Sequence, residues 1–161
     1  MDDTDRRHLI RCVDLAEAAI ATGNDPFGSV LVSAAGQVLF EGHNLTADGD
    51  QTHHPELAIA QWAATHMSPD ERRTATVYTS GEHCPMCAAA HGWVGLGRIV
   101  YASSSIQLGE WLSELGLPPP PVNTLPINAL VPALPVEGPD PTLAPRLRDL
   151  HRRHAAARLN P

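Results

Sequence analysis

Three features of the chain predict an α/β domain. Short β-rich runs alternate with helical runs, the alternation fills residues 1–117, and no second apolar core follows it. At 161 residues the chain is long enough to bury one core without disulfide staples. Residues 1–117 read as the core. Residues 118–161 read as a proline-rich tail and a C-terminal helix packing on that same domain.

Leu9, Ile10, Val13, Ala16 and Ile20 recur at three-to-four spacing, behind Thr4 or Asp5 as N-cap and ahead of Gly23, which predicts a helix over 5–20. Residues 29–34 and 37–41 are β-rich and split by Ala35-Gly36, a hairpin signal. The polar stretch 44–53 has no periodicity and reads as a loop. Pro55 suits the first turn of a helix, where a missing N–H costs nothing, and apolar positions carry that helix to His66. A strand over 74–79, a helix opened by Pro85, a strand over 98–102 and a helix over 107–115 complete the core. Between Leu117 and Arg146, four consecutive prolines and six more favour extended backbone over helix or central strand. The Val, Leu and Ile residues among them favour packing along a surface rather than disorder, and residues 146–159 read as helical.

The formal net charge is −7, and all eleven basic residues are arginine. Five of them, Arg146, Arg148, Arg152, Arg153 and Arg158, fall in the last sixteen residues, so the body before them is strongly acidic. A phosphate backbone needs cations arrayed along one surface, which makes nucleic acid a poor partner here. The terminal arginines, with His151 and His154, read as a solvated helix face. Three cysteines, two of them in one C-x-x-C, do not make an extracellular disulfide framework and suit a reducing cytoplasm; Cys12 reads as a small core residue. No apolar stretch reaches bilayer length, so no membrane partner is expected.

His54, Glu56, Cys84 and Cys87 carry the chemistry. His54-Pro55-Glu56 is followed by Cys84-Pro85-Met86-Cys87, which offers one imidazole and two thiols to a metal. A structural zinc closes its sphere with four protein ligands, whereas a catalytic zinc keeps a fourth position for water and lowers that water's pKa to about 7. A four-ligand site would need His53 or His83, but each is adjacent to a ligand, and sequence neighbours rarely point at one atom. Glu56, two residues from the ligand histidine, is placed to carry a proton. Both ligand sets fall at predicted helix starts, where partial positive charge favours thiolate.

These motifs resemble the cytidine deaminase superfamily, whose His-x-Glu and later Pro-Cys-x-x-Cys mark zinc nucleobase deaminases. Pro26-Phe27-Gly28, Asn44, Tyr78-Thr79-Ser80, Cys84-Pro85-Met86-Cys87 and Trp93 look most like the guanine deaminase and nucleoside deaminase branch, over residues 8–103. Two departures stand out: His83 replaces a proline, and Gly81-Glu82-His83 replaces the Cys-Glu-Pro of guanine deaminases. The resemblance implies a three-layer cytidine-deaminase-like fold, a mixed sheet of about five strands between helices, and a homodimer. It also implies Zn2+ on His54, Cys84 and Cys87, Glu56 as proton shuttle, Asn44 on the base or ribose, and Phe27 and Trp93 along the base pocket. His83 is expected to face the substrate cavity or the dimer partner. The implied reaction is hydrolytic deamination of a small nucleobase or nucleoside, guanine-like by branch. A tRNA adenosine deaminase is the first alternative and is disfavoured by the acidic body. A non-enzymatic zinc module is the second, and such a module has no need of Glu56.

Overall fold

Asp2, rather than Thr4 or Asp5, opens the first helix. In the computed structural model, which describes residues 1–159, α1 spans Asp3–Ala21. The Asp2 carboxylate accepts the Asp5 N–H at 2.8 Å while the Asp5 carboxylate accepts the Asp2 N–H at 2.9 Å. This reciprocal box satisfies two N–H groups that a helix start leaves free. Strand β1 (Gly28–Val32) then runs beneath α1. A Cβ at position 28 would lie 2.5 Å from the Cys12 carbonyl oxygen, so only glycine allows the helix this close to the strand.

Strand β2 (Val38–His43) returns antiparallel to β1, and α2 (Pro55–His66) follows the polar loop. Next comes α3 (Pro69–Thr74), where the sequence suggested only the approach to a strand. Its signal is Ser68-Pro69-Asp70-Glu71, a capping box with Pro at the first helical position, and it delays β3 to Thr76–Gly81. Helix α4 (Pro85–Val94), β4 (Ile99–Ser103) and α5 (Ser105–Glu114) close the first 117 residues.

The proline-rich stretch is more ordered than a wrapping segment. It contains α6 (Ile127–Leu130) and β5 (Val136–Glu137), and it leads into α7 (Ala144–Leu159). β5 extends the sheet, pairing Ile99 with Val136, and a short edge strand is where Pro-rich sequence can join a ladder. Of the expected tail, residues 160–161 lie outside the described residues.

The sheet order is β2-β1-β3-β4-β5, antiparallel as far as β3 and parallel beyond it. α1, α7 and Trp111 of α5 cover one face with Leu9, Val13, Leu147 and Leu150. α2, α4 and α6 cover the other with Ile59, Ala88 and Ile127. The result is the expected three-layer α/β arrangement. A fully buried aliphatic side chain contributes roughly 1.5–3 kcal/mol, so Leu147 and Leu150 make α7 part of the core.

At the start of β4, Arg98 grips Asp5 with both terminal nitrogens at 2.8 Å and reaches Glu137 at 2.7 Å, while the Tyr78 hydroxyl donates to Asp5 at 2.8 Å. This network joins α1, β3, β4 and β5. The Arg98 guanidinium holds the Asp5 carboxyl well below the usual carboxylate range.

Candidate metal centre and catalytic site

The functional residues gather where β3 ends. His54 is the N-cap of α2 and Cys84 the N-cap of α4, each followed by a first-turn proline, and Cys87 sits three residues into α4. His54 Nδ1 lies 3.6 Å from each sulfur, and the two sulfurs are 3.6 Å apart. Metal–sulfur and metal–nitrogen bonds of about 2.3 and 2.0–2.1 Å at tetrahedral angles require ligand separations of roughly 3.6–3.8 Å, so the triangle fits zinc. A disulfide would need the sulfurs about 2 Å apart. The donor set is therefore both chemically and geometrically suited to one zinc ion, with three protein ligands.

The environment favours thiolate at Cys84. The hydrogen bond shared with the Cys87 sulfur, and then the one with His54, push the Cys84 thiol down to about 4. The same shared contact and burial push Cys87 up, so one proton is divided between the two sulfurs. Contact with Cys84 raises His54.

Glu56 is buried at the second position of α2, and its Oε1 accepts from Ser29 Oγ at 2.9 Å and Thr79 Oγ1 at 2.8 Å. Ser29 and Thr79 are partners across the β1–β3 ladder and lie 2.9 Å apart. Burial raises the Glu56 carboxyl above its ordinary range, while His54 and the two hydroxyls oppose the rise. A carboxyl raised in this way holds a proton more readily than an exposed one, which suits a group that must both take and give one. Ser29 was not singled out in the sequence, and Thr79 stood there only within the Tyr78-Thr79-Ser80 run, with no role of its own. For Ser29 the signal was a hydroxyl inside an otherwise apolar buried strand, whereas Thr79 is one of several hydroxyls along β3.

Asn44 is buried at the end of β2. Its N–H donates to the Phe27 carbonyl at 3.0 Å, and its Oδ1 has no hydrogen-bond partner among the described residues. An unsatisfied buried carbonyl oxygen is costly and is accounted for when a ligand supplies the donor. The Phe27 ring leans over Gly81: a Cβ there would lie 2.7 Å from the ring, so the glycine that departs from the family pattern makes room for it.

Two expected pocket residues sit elsewhere. Trp93 is 90% exposed on the last turn of α4. The reason is helical phase: Cys87 and His91 share the buried face of α4, which turns position 93 outward. His83 is 1% exposed and packs edge-on against His91, centroids 5.4 Å apart, and neither ring nitrogen has a hydrogen-bond partner among the described residues. Burial keeps it neutral, well below the ordinary histidine range.

The C-terminal helix meets the same end of the sheet. His151 packs edge-on against Phe27 at 5.3 Å and against Trp111 at 5.9 Å, and burial pushes it down to about 4. His154 Nε2 reaches the Asp25 carboxylate at 3.1 Å and Arg158 reaches it at 3.7 Å, while Thr46 donates to its other oxygen at 3.4 Å. Both histidines are thus built into the fold rather than solvated. The other α7 arginines also meet carboxylates: Arg146 with Asp14 and Glu17, Arg148 with Glu114, Arg152 with Asp149, and Arg153 with Glu17.

Volume does not mark the site. A cleft of about 580 Å³ between Arg73, Arg98 and Pro135 opens at the amino ends of the parallel strands, away from the ligand cluster. The cluster lies at the carboxyl end of β3, where α/β sheets bind ligands.

Residues 2–103 match the family model described as the cytidine and deoxycytidylate deaminase zinc-binding region. A guanine deaminase of Bacillus subtilis is 33% identical over 104 residues, covering 63% of this chain and 66% of that protein. A tRNA-specific adenosine deaminase of Haemophilus influenzae is 31% identical over 106 residues, covering 65% of this chain and 61% of that protein. The match thus spans less than two thirds of the length of each of these two relatives. The structure of a guanine deaminase from Nitrosomonas europaea superposes with a TM-score of 0.65 at 22% identity, covering 92% of this chain and 83% of that one.

Proposed function

Because the chain belongs to the cytidine and deoxycytidylate deaminase zinc-binding family, we propose that it hydrolytically deaminates a small free heterocycle or nucleoside, guanine-like in shape. The observation that carries this reading is Glu56, a buried carboxyl with a raised pKa beside a three-ligand metal site. A non-enzymatic zinc module has no use for it. His54, Cys84 and Cys87 would hold zinc, which supplies Lewis acidity and a water activated at neutral pH. Glu56 takes a proton from the attacking water and passes it to the ring nitrogen beside the reacting carbon, then takes the remaining proton of the added hydroxyl and gives it to the departing amine. Water is consumed, the amino carbon becomes a carbonyl, and ammonia leaves. Ser29 and Thr79 hold the carboxyl in place through each transfer. Asn44 Oδ1 would accept from an N–H of the base, and Phe27, backed by His151, would form one wall.

The preference for a small molecule over tRNA rests on the α7 arginines. Each already reaches a carboxylate of its own chain, so the helix offers no row of free cations to phosphates. Likeness to a guanine deaminase supports the choice of base, and likeness to a tRNA-specific adenosine deaminase keeps the second reading in view. A homodimer and a cytoplasmic setting belong to the same proposal. A tryptophan as exposed as Trp93 supports an interface, and no helix among the described residues is long and apolar enough to cross a membrane.

Ammonia release from free bases, nucleosides, triazines and a tRNA anticodon stem-loop tests this reading. Turnover is expected on a free base or nucleoside, best on a guanine-like one. Efficient inosine formation in the stem-loop alone would replace it with the tRNA reading.

A further inference from the structure

Glu82 lies between the end of β3 and Cys84, and its carboxylate is spent on two distant segments. Oε2 accepts the Ser105 N–H at 2.9 Å and the Ser105 hydroxyl at 2.6 Å, while Oε1 accepts the Ile127 N–H at 3.0 Å. The Glu82 N–H donates to the Ser103 carbonyl at 2.8 Å. Ser105 and Ile127 are the first residues of α5 and α6, whose N–H groups have no partner inside their own helices. An ionised acceptor makes such bonds short and about twice as strong as neutral ones.

The Ile127 end is not loosely placed. Ile127 is fully buried in the cluster that contains Ala88 of α4, and α6 lies along that helix, with Val131 so near Gly92 that a Cβ there would be 2.9 Å from its methyl. The proline-rich segment therefore touches the metal-bearing helix on its flank and the metal-bearing loop through Glu82. Only His83 separates Glu82 from Cys84 in the chain, so a shift of this carboxylate is passed on to the ligand.

We propose that Glu82 is a positioning residue for the metal centre, fastening the loop that carries Cys84 to α5 and to the proline-rich segment at Ile127, so that docking of that segment sets the place of the Cys84 sulfur. This rests on reading His54, Cys84 and Cys87 as ligands. It assigns a task to the segment 118–130 that packing alone does not. It also accounts for a carboxylate retained in the altered Gly81-Glu82-His83 stretch: its role concerns holding the loop, which does not depend on the neighbours that differ from the guanine deaminase pattern.

Two measurements on the full chain test it: the thiolate-to-cobalt absorption bands of cobalt-loaded protein, and the rate of zinc release to a chelator well below the melting temperature. In Glu82→Gln one oxygen becomes an amide nitrogen that cannot accept. Zinc release about tenfold faster and shifted cobalt bands are expected, the size of one charge-assisted hydrogen bond. Ile127→Ala should act in the same direction, and the double variant should release zinc no faster than the stronger single one, because both changes cut the same link. Ser105→Ala, which loses only the hydroxyl bond, should give a smaller acceleration, and it carries the test if Glu82→Gln does not fold. Unchanged bands and release in a variant with lowered melting temperature would reduce Glu82 to a structural prop, and fully additive effects would remove the segment from the link. A wild-type chain that takes up neither zinc nor cobalt would instead overturn the ligand reading.

Discussion

At opposite ends of the sheet the chain buries a carboxylate, and it treats the two in opposite ways. Asp5, near the amino ends of the parallel strands, receives a two-pronged arginine and a tyrosine hydroxyl, and is held ionised. Glu56, at the carboxyl end of β3, receives two neutral hydroxyls, and burial raises it. The lesson is about what each end needs. A carboxylate matched to a guanidinium ties elements together and has no proton to trade. One left with hydroxyls keeps the ability to change protonation state, which catalysis requires.

The largest effect should come from the Glu56 end. Glu56→Gln should lose turnover by several orders of magnitude while zinc content and fold persist, because only the proton carrier is gone. Cys84→Ala should lose the metal as well, since two ligands rarely retain zinc. Zinc content measured beside rate separates the two variants. Full activity in Glu56→Gln would break the contrast between the two ends.

A smaller effect is expected at the other end. Asp5→Asn should lower stability by about 2–3 kcal/mol at pH 7 with the site intact, as a buried charge-assisted network loses its centre. The sign of its pH dependence follows from the depressed carboxyl. The native pKa lies below the unfolded value of about 3.9, so the contribution is complete above that pH and fades as pH falls through the native value. The melting-temperature gap between wild type and Asp5→Asn should therefore narrow as pH falls below about 4. A gap that is constant with pH would mean that the ion pair is not its source.

The mildest change sharpens the comparison within the catalytic end. Asn44→Ala should raise the apparent KM about tenfold with little change in kcat, the size of one hydrogen bond to a bound base. An unchanged KM on every substrate would make Asn44 a loop residue only. Deleting residues 141–161 is a blunter tool than the proline-rich composition suggests. It removes Leu147 and Leu150, each 1% exposed, and would unmake one face of the core.

Much of this was legible in order along the chain. Pro55 and Pro85 announced the two helix starts, and the spacing of His54, Cys84 and Cys87 announced the ligand triangle, because first-turn prolines and N-cap positions are local properties that a few residues decide. Helix α3 was legible too, in Ser68 and Glu71, although strand propensity nearby obscured it. Whatever depends on which element packs on which was not legible. Ser29 and Thr79 become the holders of Glu56 only because β1 and β3 are paired in one register. Trp93 is turned outward by the phase of a helix whose buried face belongs to Cys87 and His91, and His83 goes inward to meet His91. Four of the five arginines of α7, alike in sequence to a free basic face, pair with acids on α1, with Asp25 or with Glu114, and only Arg152 pairs within its own helix, with Asp149. The sequence by itself determined the metal chemistry and the alternation of elements, since both rest on residue type and short spacing. The tertiary structure alone decided which polar groups are satisfied, buried or left facing a ligand, since burial and pairing depend on contacts that no short window of sequence contains.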